Sequence, residues 1–325
     1  MTVGLTYDLR SEWLSQGYSE LETAEFDREE TVAAVESALR REGLLTDRIG
    51  NYRGLMAALG AGKRWDLVFN FCEGMYGIGR EALVPALLDA YRIPYTFSDP
   101  VVLALSLHKG LTKRVMRDAG VPTADFVVVE SRGDIEKVKL RYPLFAKPIA
   151  EGTGKGITAD SRIGSPEDLR RICESLLQVY RQPVIVEEYL PGREFTTGLI
   201  GTGAEARVVG TMEIVPLSTA DAHAYTYMNK EYCDDRVRYE LAGGPEAEGC
   251  ARLALQAWKA LGARDAGRID IRMDGQGNPS FIEVNPLAGL HPQHSDLPII
   301  CTMVGMSFQE LIGAIVASAR KRSGI

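Results

Sequence analysis

The chain has 325 residues, enough for two or three compact domains, and its 45% hydrophobic and 25% charged residues are those of a globular protein rather than a disordered one. A formal net charge of -7 leaves no global basic field to gather a polyanion, which argues against nucleic acid as a partner. Apolar runs such as "VVLALSL" and "LIGAIVASA" fall far short of the roughly 20 residues that span a bilayer, and the opening "MTVGLTYDLRSEW" lacks the basic start and apolar run of a signal peptide. These features predict a cytoplasmic protein with no membrane partner. The five cysteines, Cys72, Cys173, Cys233, Cys250 and Cys301, are odd in number and form no C-x-x-C pair, so reduced, packed thiols are expected.

In chain order, "VGLTY" reads as a strand, followed by a long polar loop and the helix "EETVAAVESALRREG", with Val32, Val35 and Leu39 at helical spacing. "WDLVFNF" reads as a second buried strand and "REALVPALLDAYR" as a helix, an alternation that implies an α/β layer with a parallel sheet. A helix then ends at Gly120, and "FVVVE" and "YPLFAKPI" read as strands leading to the glycine-rich "EGTGKGI". After the helix "PEDLRRICESLLQVY", "PVIVEEYLPGREFTTGLIG" reads as two strands around a Pro-Gly turn, expected to form an antiparallel hairpin. "RVVGTMEIVP", "GRIDIRMD" and "PSFIEVNP" are further strands, with helices over 247–261 and 307–321. Boundaries are placed near residues 100 and 185.

Four clusters carry chemistry. Lys147 ends a strand just before Gly152, Gly154 and Gly156, a pattern that reads either as a phosphate clamp or as a flexible turn with a solvated lysine. In "VEEYLPGRE", Glu187 and Tyr189 share one strand face and Glu188 takes the other; Glu187 and Glu194 are candidate partners for an adenine amino group or a ribose, or else solvated edge carboxylates. The hairpin closed by "DGQGNP" lets Asp270, Glu283 and Asn285 converge as hard oxygen ligands for magnesium, with Arg268 on the same face to stabilise a developing oxyanion; a surface ion-pair cluster is the plain alternative. His291 and His294 are three apart, but Pro292 lies between them and no third nitrogen or sulfur ligand is near, so this loop is expected to meet substrate rather than zinc.

Taken in order from about residue 82 to the C-terminus, these clusters resemble the ATP-grasp superfamily and specifically the D-alanine–D-alanine ligase family. "IPYTFSDPVVLALSLHKGLTKRVMRDAGVP" is similar to that family's entry into its central domain, "EGTGKGI" to its phosphate-covering "EGSSxG", and "EEYLPGREFT" to "E-x-x-L-x-G-x-E-x-T". "YTYMNKEY" is similar to the mobile lid "Y-x-Y-x-x-K-Y", and "RIDIRMD" with "FIEVNPLAGLHPQHSDLP" to "R-x-D" and "E-x-N-x-x-P-G-M…S-L-x-P". The resemblance implies a three-domain ATP-grasp fold, α/β with α+β character in its C-terminal two-thirds. It comprises an N-terminal Rossmann-like substrate domain (1–100), a central ATP-grasp domain (101–185) and a catalytic ATP-grasp domain (186–325) with a lid about 215–240.

The implied reaction is carboxylate–amine ligation through an acyl phosphate, with ATP, two magnesium ions (or manganese) and small amino acids such as D-alanine, in a cytoplasmic homodimer of cell-wall synthesis. By the same resemblance Lys109, Lys147, Glu151, Gly152, Thr153, Gly154, Glu187, Glu188, Leu190, Glu194 and Lys230 hold the nucleotide, and Asp270, Glu283 and Asn285 hold the metal. Arg268, Lys230 and Ser295 act on the reacting groups, and Glu25 is the candidate to hold the first substrate's amine. Departures lie on the substrate side and keep two alternatives open, a ligase of the same mechanism for other amino or hydroxy acids and a catalytically silent nucleotide-binding sensor. The family's "H-G-x-x-G-E-D-G" reads "FCEGMYGIGREA", which loses the histidine and sets Arg80 near a glutamate position; Glu231 replaces a lid tyrosine, Ala288 a proline and Leu290 a methionine.

Overall fold

The structure, a computed structural model, describes residues 1–217 and 236–325. The predicted lid falls largely in the remainder, so Lys230, Glu231, Tyr232, His223 and Cys233 lie outside the described residues.

Among the described residues the strands form three sheets. The first is parallel, in the order β2(Leu45–Gly50), β1(Thr2–Tyr7), β3(Leu67–Phe71), as the alternation of strands and helices predicts. The central strand and β3 are buried almost throughout, whereas β2 ("LTDRIG") is half-exposed and carries no apolar alternation that would announce it. The helix Glu29–Arg41 covers this sheet with Val32, Val35 and Leu39, and the last helix, Phe308–Ser323, returns to the same core with Leu311, Ile312 and Ile315. The two ends of the chain therefore share one hydrophobic core.

The second sheet is antiparallel, β4(Phe126–Val129), β7(Val184–Glu188), β5(Leu144–Pro148), β6(Arg162–Ile163), backed by the helix Pro166–Tyr180 through Leu169, Ile172, Cys173 and Leu176. That helix begins where Ser165 accepts a hydrogen bond from the Asp168 amide and Pro166 takes the first helical position. The third sheet is antiparallel too, in the order β10(Val237–Leu241), β9(Arg207–Pro216), β8(Glu194–Ile200), β11(Ala266–Met273), β12(Pro279–Asn285). The helix Gly244–Leu261 packs Leu253, Ala257 and Trp258 onto it.

The hairpin expected around Pro191–Gly192 does not form. The strand β7 pairs with β4 and β5, while β8 pairs with β9 and β11, so residues 189–193 carry the chain from the second sheet to the third. A Pro-Gly turn marks a reversal but leaves the choice of partner to the faces, and buried Val184, Ile185 and Val186 find theirs in the second sheet. The link is pinned at both ends, by the Tyr189 amide donating to Pro143 O and the Gly192 amide donating to Met273 O at 3.0 Å each. A Cβ on Gly192 would sit 2.6 Å from Met273 Cβ and 2.7 Å from Met273 O. Gly192→Ala is thus expected to lower stability by about 1–3 kcal/mol, the cost of overpacking, read by denaturant unfolding; unchanged stability would show that the link is loose.

Candidate functional site

The helix Lys109–Asp118 starts the site. The helix before it, Pro100–Leu107, is opened by Asp99 accepting from the Val101 and Val102 amides, and His108 then accepts from the Leu111 amide to start the second. Lys109 is its first residue and Lys113 follows one turn later on the same face. Both side chains are buried, at 7% and 0% exposure, beneath the β5–β7 pair. Lys109 Nζ donates to Glu151 O at 2.6 Å and lies 3.5 Å from Glu283 Oε2. Lys147 on β5 reaches Glu187 Oε2 at 3.4 Å and Glu283 Oε2 at 3.8 Å.

Lys113 is the residue that sequence reasoning misses. Its ammonium pairs with Glu187 and donates to Thr123 Oγ1 at 2.7 Å, whose hydroxyl in turn donates to Phe281 O at 2.8 Å. The available signal was the four-residue spacing from Lys109, which on an isolated helix reads as a solvated face. Burial pushes Lys113 and Lys109 below the usual lysine range, against the opposing pull of Glu187 and Glu283 respectively. For Lys147 burial also acts downward, but Glu187 and Glu283 together outweigh it and raise it. Glu187 is held low, since Lys113 and Lys147 overcome the upward push of burial. Glu187 thus sits between two lysines, whereas Glu188 on the other strand face accepts from the Arg141 backbone amide at 3.2 Å.

A cavity of about 80 Å³ opens between β5–β7 and β11–β12, lined by Lys147, Glu187, Glu188, Leu190, Glu194 and Glu283 among others. Phe145 stacks on Tyr189 at its wall with ring centroids 6.4 Å apart, and Arg272 Nη1 lies 3.4 Å from Glu194 Oε2. Above it runs the loop 151–157, where Thr153 and Gly154 take left-handed backbone angles of 52° and 72°. A further cavity of about 330 Å³ lies on the other side. Lys109, Glu151 and Glu283 line both, so the two spaces meet at these three residues.

On the paired strands β11 and β12, Asp270 stands opposite Glu283 and Arg268 opposite Asn285. Thr196 Oγ1 donates to Asp270 Oδ1 at 2.9 Å, and Arg268 Nη1 donates to the same oxygen at 2.6 Å and lies 3.3 Å from Asp296 Oδ2. Burial acts to lower the Arg268 guanidinium, but Asp270 and Asp296 outweigh it and raise it above its ordinary value. Among the described residues no three His, Cys, Asp or Glu side chains gather to hold a metal. Two carboxylates and the Asn285 amide oxygen are instead an incomplete set of hard donors, which suits magnesium sharing its shell with phosphate oxygens.

The larger cavity also takes in Ser295, Gly289, His291 and His294. Ser295 Oγ accepts from the His291 amide at 2.9 Å, and a Cβ on Gly289 would lie 2.8 Å from that oxygen. The two imidazoles lie 4.6 Å apart, and His291 Nδ1 accepts from the Gln293 and His294 amides, which is a turn rather than a metal pair.

Glu25 reaches this cavity too, yet its carboxylate is engaged. Arg80 Nη2 donates to it at 2.7 Å, Lys155 Nζ lies 3.5 Å away, and the Gly152 amide donates at 2.7 Å. Burial pushes this carboxyl up, and Arg80 with Lys155 outweigh that push and hold it low. Glu25 thereby ties the N-terminal segment to the glycine-rich loop, an occupation different from the expected one of meeting an amine. The sequence signal for it is Arg80, which the resemblance sets near a glutamate position of the family and which takes Glu25 as partner.

Residues 115–317 match the family model described as D-ala D-ala ligase C-terminus. The chain is 33% identical over 291 residues to the D-alanine–D-alanine ligase of Bordetella avium (strain 197N), covering 88% of each chain. It is likewise 33% identical over 261 residues to the D-alanine–D-alanine ligase of Bordetella petrii, covering 78% of this chain and 76% of that one. Its fold matches a crystal structure of the D-alanine–D-alanine ligase from Bacillus anthracis complexed with ATP, with a TM-score of 0.75 at 18% identity over 100% of this chain and 99% of that one.

Proposed function

Since this chain belongs to the D-alanine–D-alanine ligase family and is an ATP-dependent ATP-grasp ligase, we propose that it joins the carboxylate of one small amino acid to the amine of another. A carboxylate oxygen of the first substrate attacks the γ-phosphorus of ATP and ADP departs, leaving an acyl phosphate. The amine nitrogen of the second attacks the acyl carbon, phosphate departs with that oxygen, and the amine loses a proton to solvent. The observation that carries this reading is the meeting of two cavities at Lys109, Glu151 and Glu283, one beside Lys147 and Glu187, the other beside Arg268 and Ser295.

In this reading Glu187, Glu188, Leu190 and Glu194, which line the smaller cavity, hold adenosine, Lys109 and Lys147 take phosphate oxygens, and Gly152, Thr153 and Gly154 cover them. Magnesium, held by Asp270, Glu283 and Asn285, would supply neutralisation of charge between the phosphates. Arg268 orients and stabilises the developing oxyanion, and exclusion of water protects the acyl phosphate from hydrolysis. The proposal includes a cytoplasmic homodimer, as the family resemblance implies; among the described residues no single helix is long and apolar enough to cross a membrane.

The test is phosphate release by purified protein with magnesium and ATP across a panel of D- and L-amino acids, with products identified by mass. Equal release with and without amino acids overturns the ligation reading. Glu283→Ala is expected to lower the rate at least about tenfold, roughly 1.4 kcal/mol of barrier. Near-normal turnover would take Glu283 out of the metal shell.

A further inference from the structure

The larger cavity holds more negative charge than the ligation reading uses. Seven carboxylates line it against four arginine or lysine side chains. Four of the seven are accounted for: Glu25 by Arg80, Glu151 by Lys155, Asp296 by Arg268, and Glu283 by Lys109. The remaining three, Asp27, Glu73 and Glu81, make no side-chain hydrogen bond or ion pair with any group among the described residues. Glu81 is the sharpest case, because it is nine-tenths buried, at 9% exposure, and yet lines the open space.

The local backbone explains how it is held there. Glu81 sits in a single 3-10 turn, Arg80–Ala82, and its neighbour Arg80 is locked by the Ala150 carbonyl at 2.9 Å and by Glu25. With the Arg80 guanidinium engaged by the Ala150 carbonyl and Glu25, Glu81 feels Arg80 and Lys109 only through space and has no hydrogen-bonded or ion-paired cation among the described residues. Burial pushes the Glu81 carboxyl up to about 7, against the opposing pull of Arg80. Glu73 is raised as well, first by burial and then by Glu81, Glu25 and Asp27, and Asp27 is raised by burial and by the neighbouring Asp8. Each of these like-charge contacts is relieved by a cation placed among them.

One α-ammonium needs one carboxylate, and an alanine methyl offers nothing to the other two. Desolvated carboxylates without partners are costly, so their retention at the wall of a binding space points to a ligand that completes them. From this geometry we infer that one of the two joined substrates is an amino acid with a cationic side chain, an ammonium or a guanidinium, received by Glu81 and Glu73. This rests on the ligation reading for its place in the reaction, but not for its binding.

The experiment titrates the full-length protein, saturated with magnesium and a non-hydrolysable ATP analogue, with lysine, ornithine, arginine, alanine and norleucine of each hand in a calorimeter. At least one basic amino acid is expected to bind tenfold or more tightly than norleucine, the neutral analogue of lysine in length. Glu81→Gln, which keeps shape and removes charge, is expected to bring the two within twofold while leaving affinity for the nucleotide analogue unchanged within twofold; Glu73→Gln provides the second variant. Whether lysine and ornithine or arginine binds best separates ammonium from guanidinium. Equal binding of norleucine and every basic amino acid overturns the inference. A preference for the basic amino acid without phosphate release upholds the cation site and overturns the ligation reading instead.

Discussion

Replacing Arg268 with alanine is expected to lower turnover by about 10²–10³-fold, roughly 2.7–4 kcal/mol, the range seen when an oxyanion donor is removed. Arg268 is placed for that task by strand register, since period two puts it on the face of Asp270 and pairing puts it opposite Asn285. Its side chain is only partly exposed and engages Asp270 and Asp296 together, so its position is fixed before substrate arrives. The substitution leaves those two carboxylates without their shared cation, and Arg268→Lys separates charge from geometry. An ammonium keeps the charge but loses the planar fork, and turnover between wild type and alanine is expected. Turnover of Arg268→Ala within threefold of wild type, with the fold intact by circular dichroism, would take Arg268 out of the chemistry.

The largest effect on stability is expected at Lys113. Lys113→Met removes one member of a fully buried pair and strands Glu187 between a methyl group and Lys147, a loss of about 3–5 kcal/mol by the usual cost of breaking such a pair. The Thr123 hydroxyl also loses a partner, loosening the strap from the helix Lys109–Asp118 to Phe281 on β12. Denaturant unfolding of Lys113→Met, Glu187→Gln and the double variant measures the coupling. The double variant is expected to recover more than half of the loss, because no unpaired charge remains. Simple additivity would show that Lys113 acts through packing alone.

Much of this arrangement is legible in the chain itself, and the exceptions have physical reasons. The strands β11 and β12 and the convergence of Asp270, Glu283 and Asn285 follow from alternation and a turn-rich "DGQGNP", because the partner strand is close in sequence. The chain around Pro191–Gly192 has the same local signals, but its pairing is decided by distant strands, which local pattern does not encode. The edge strand β2 escapes because a half-exposed strand has no apolar period to display. Lys113 escapes because whether a helical lysine faces water or a carboxylate depends on what packs over it. Glu25 is legible as a polar residue near the substrate side, while its capture by Arg80 and the Gly152 amide joins residues 55 and 127 positions apart. Glu81 is a plain acidic residue in "GREA" until the fold buries it.

Glu283 touches Lys109 and Lys147, and Glu187 touches Lys147 and Lys113, so these side chains form a chain of alternating charge through the site. Such a chain acts as a set of internal counter-ions. Under the proposed function, a nucleotide carried in with its metal would exchange ammonium–carboxylate contacts for ammonium–phosphate and carboxylate–metal ones, so the count of paired charges would hardly change on arrival or departure. When ADP and phosphate leave in that scheme, the lysines would have a resting partner to fall back on, and the spent site would close its own electrical circuit rather than wait for salt from solution.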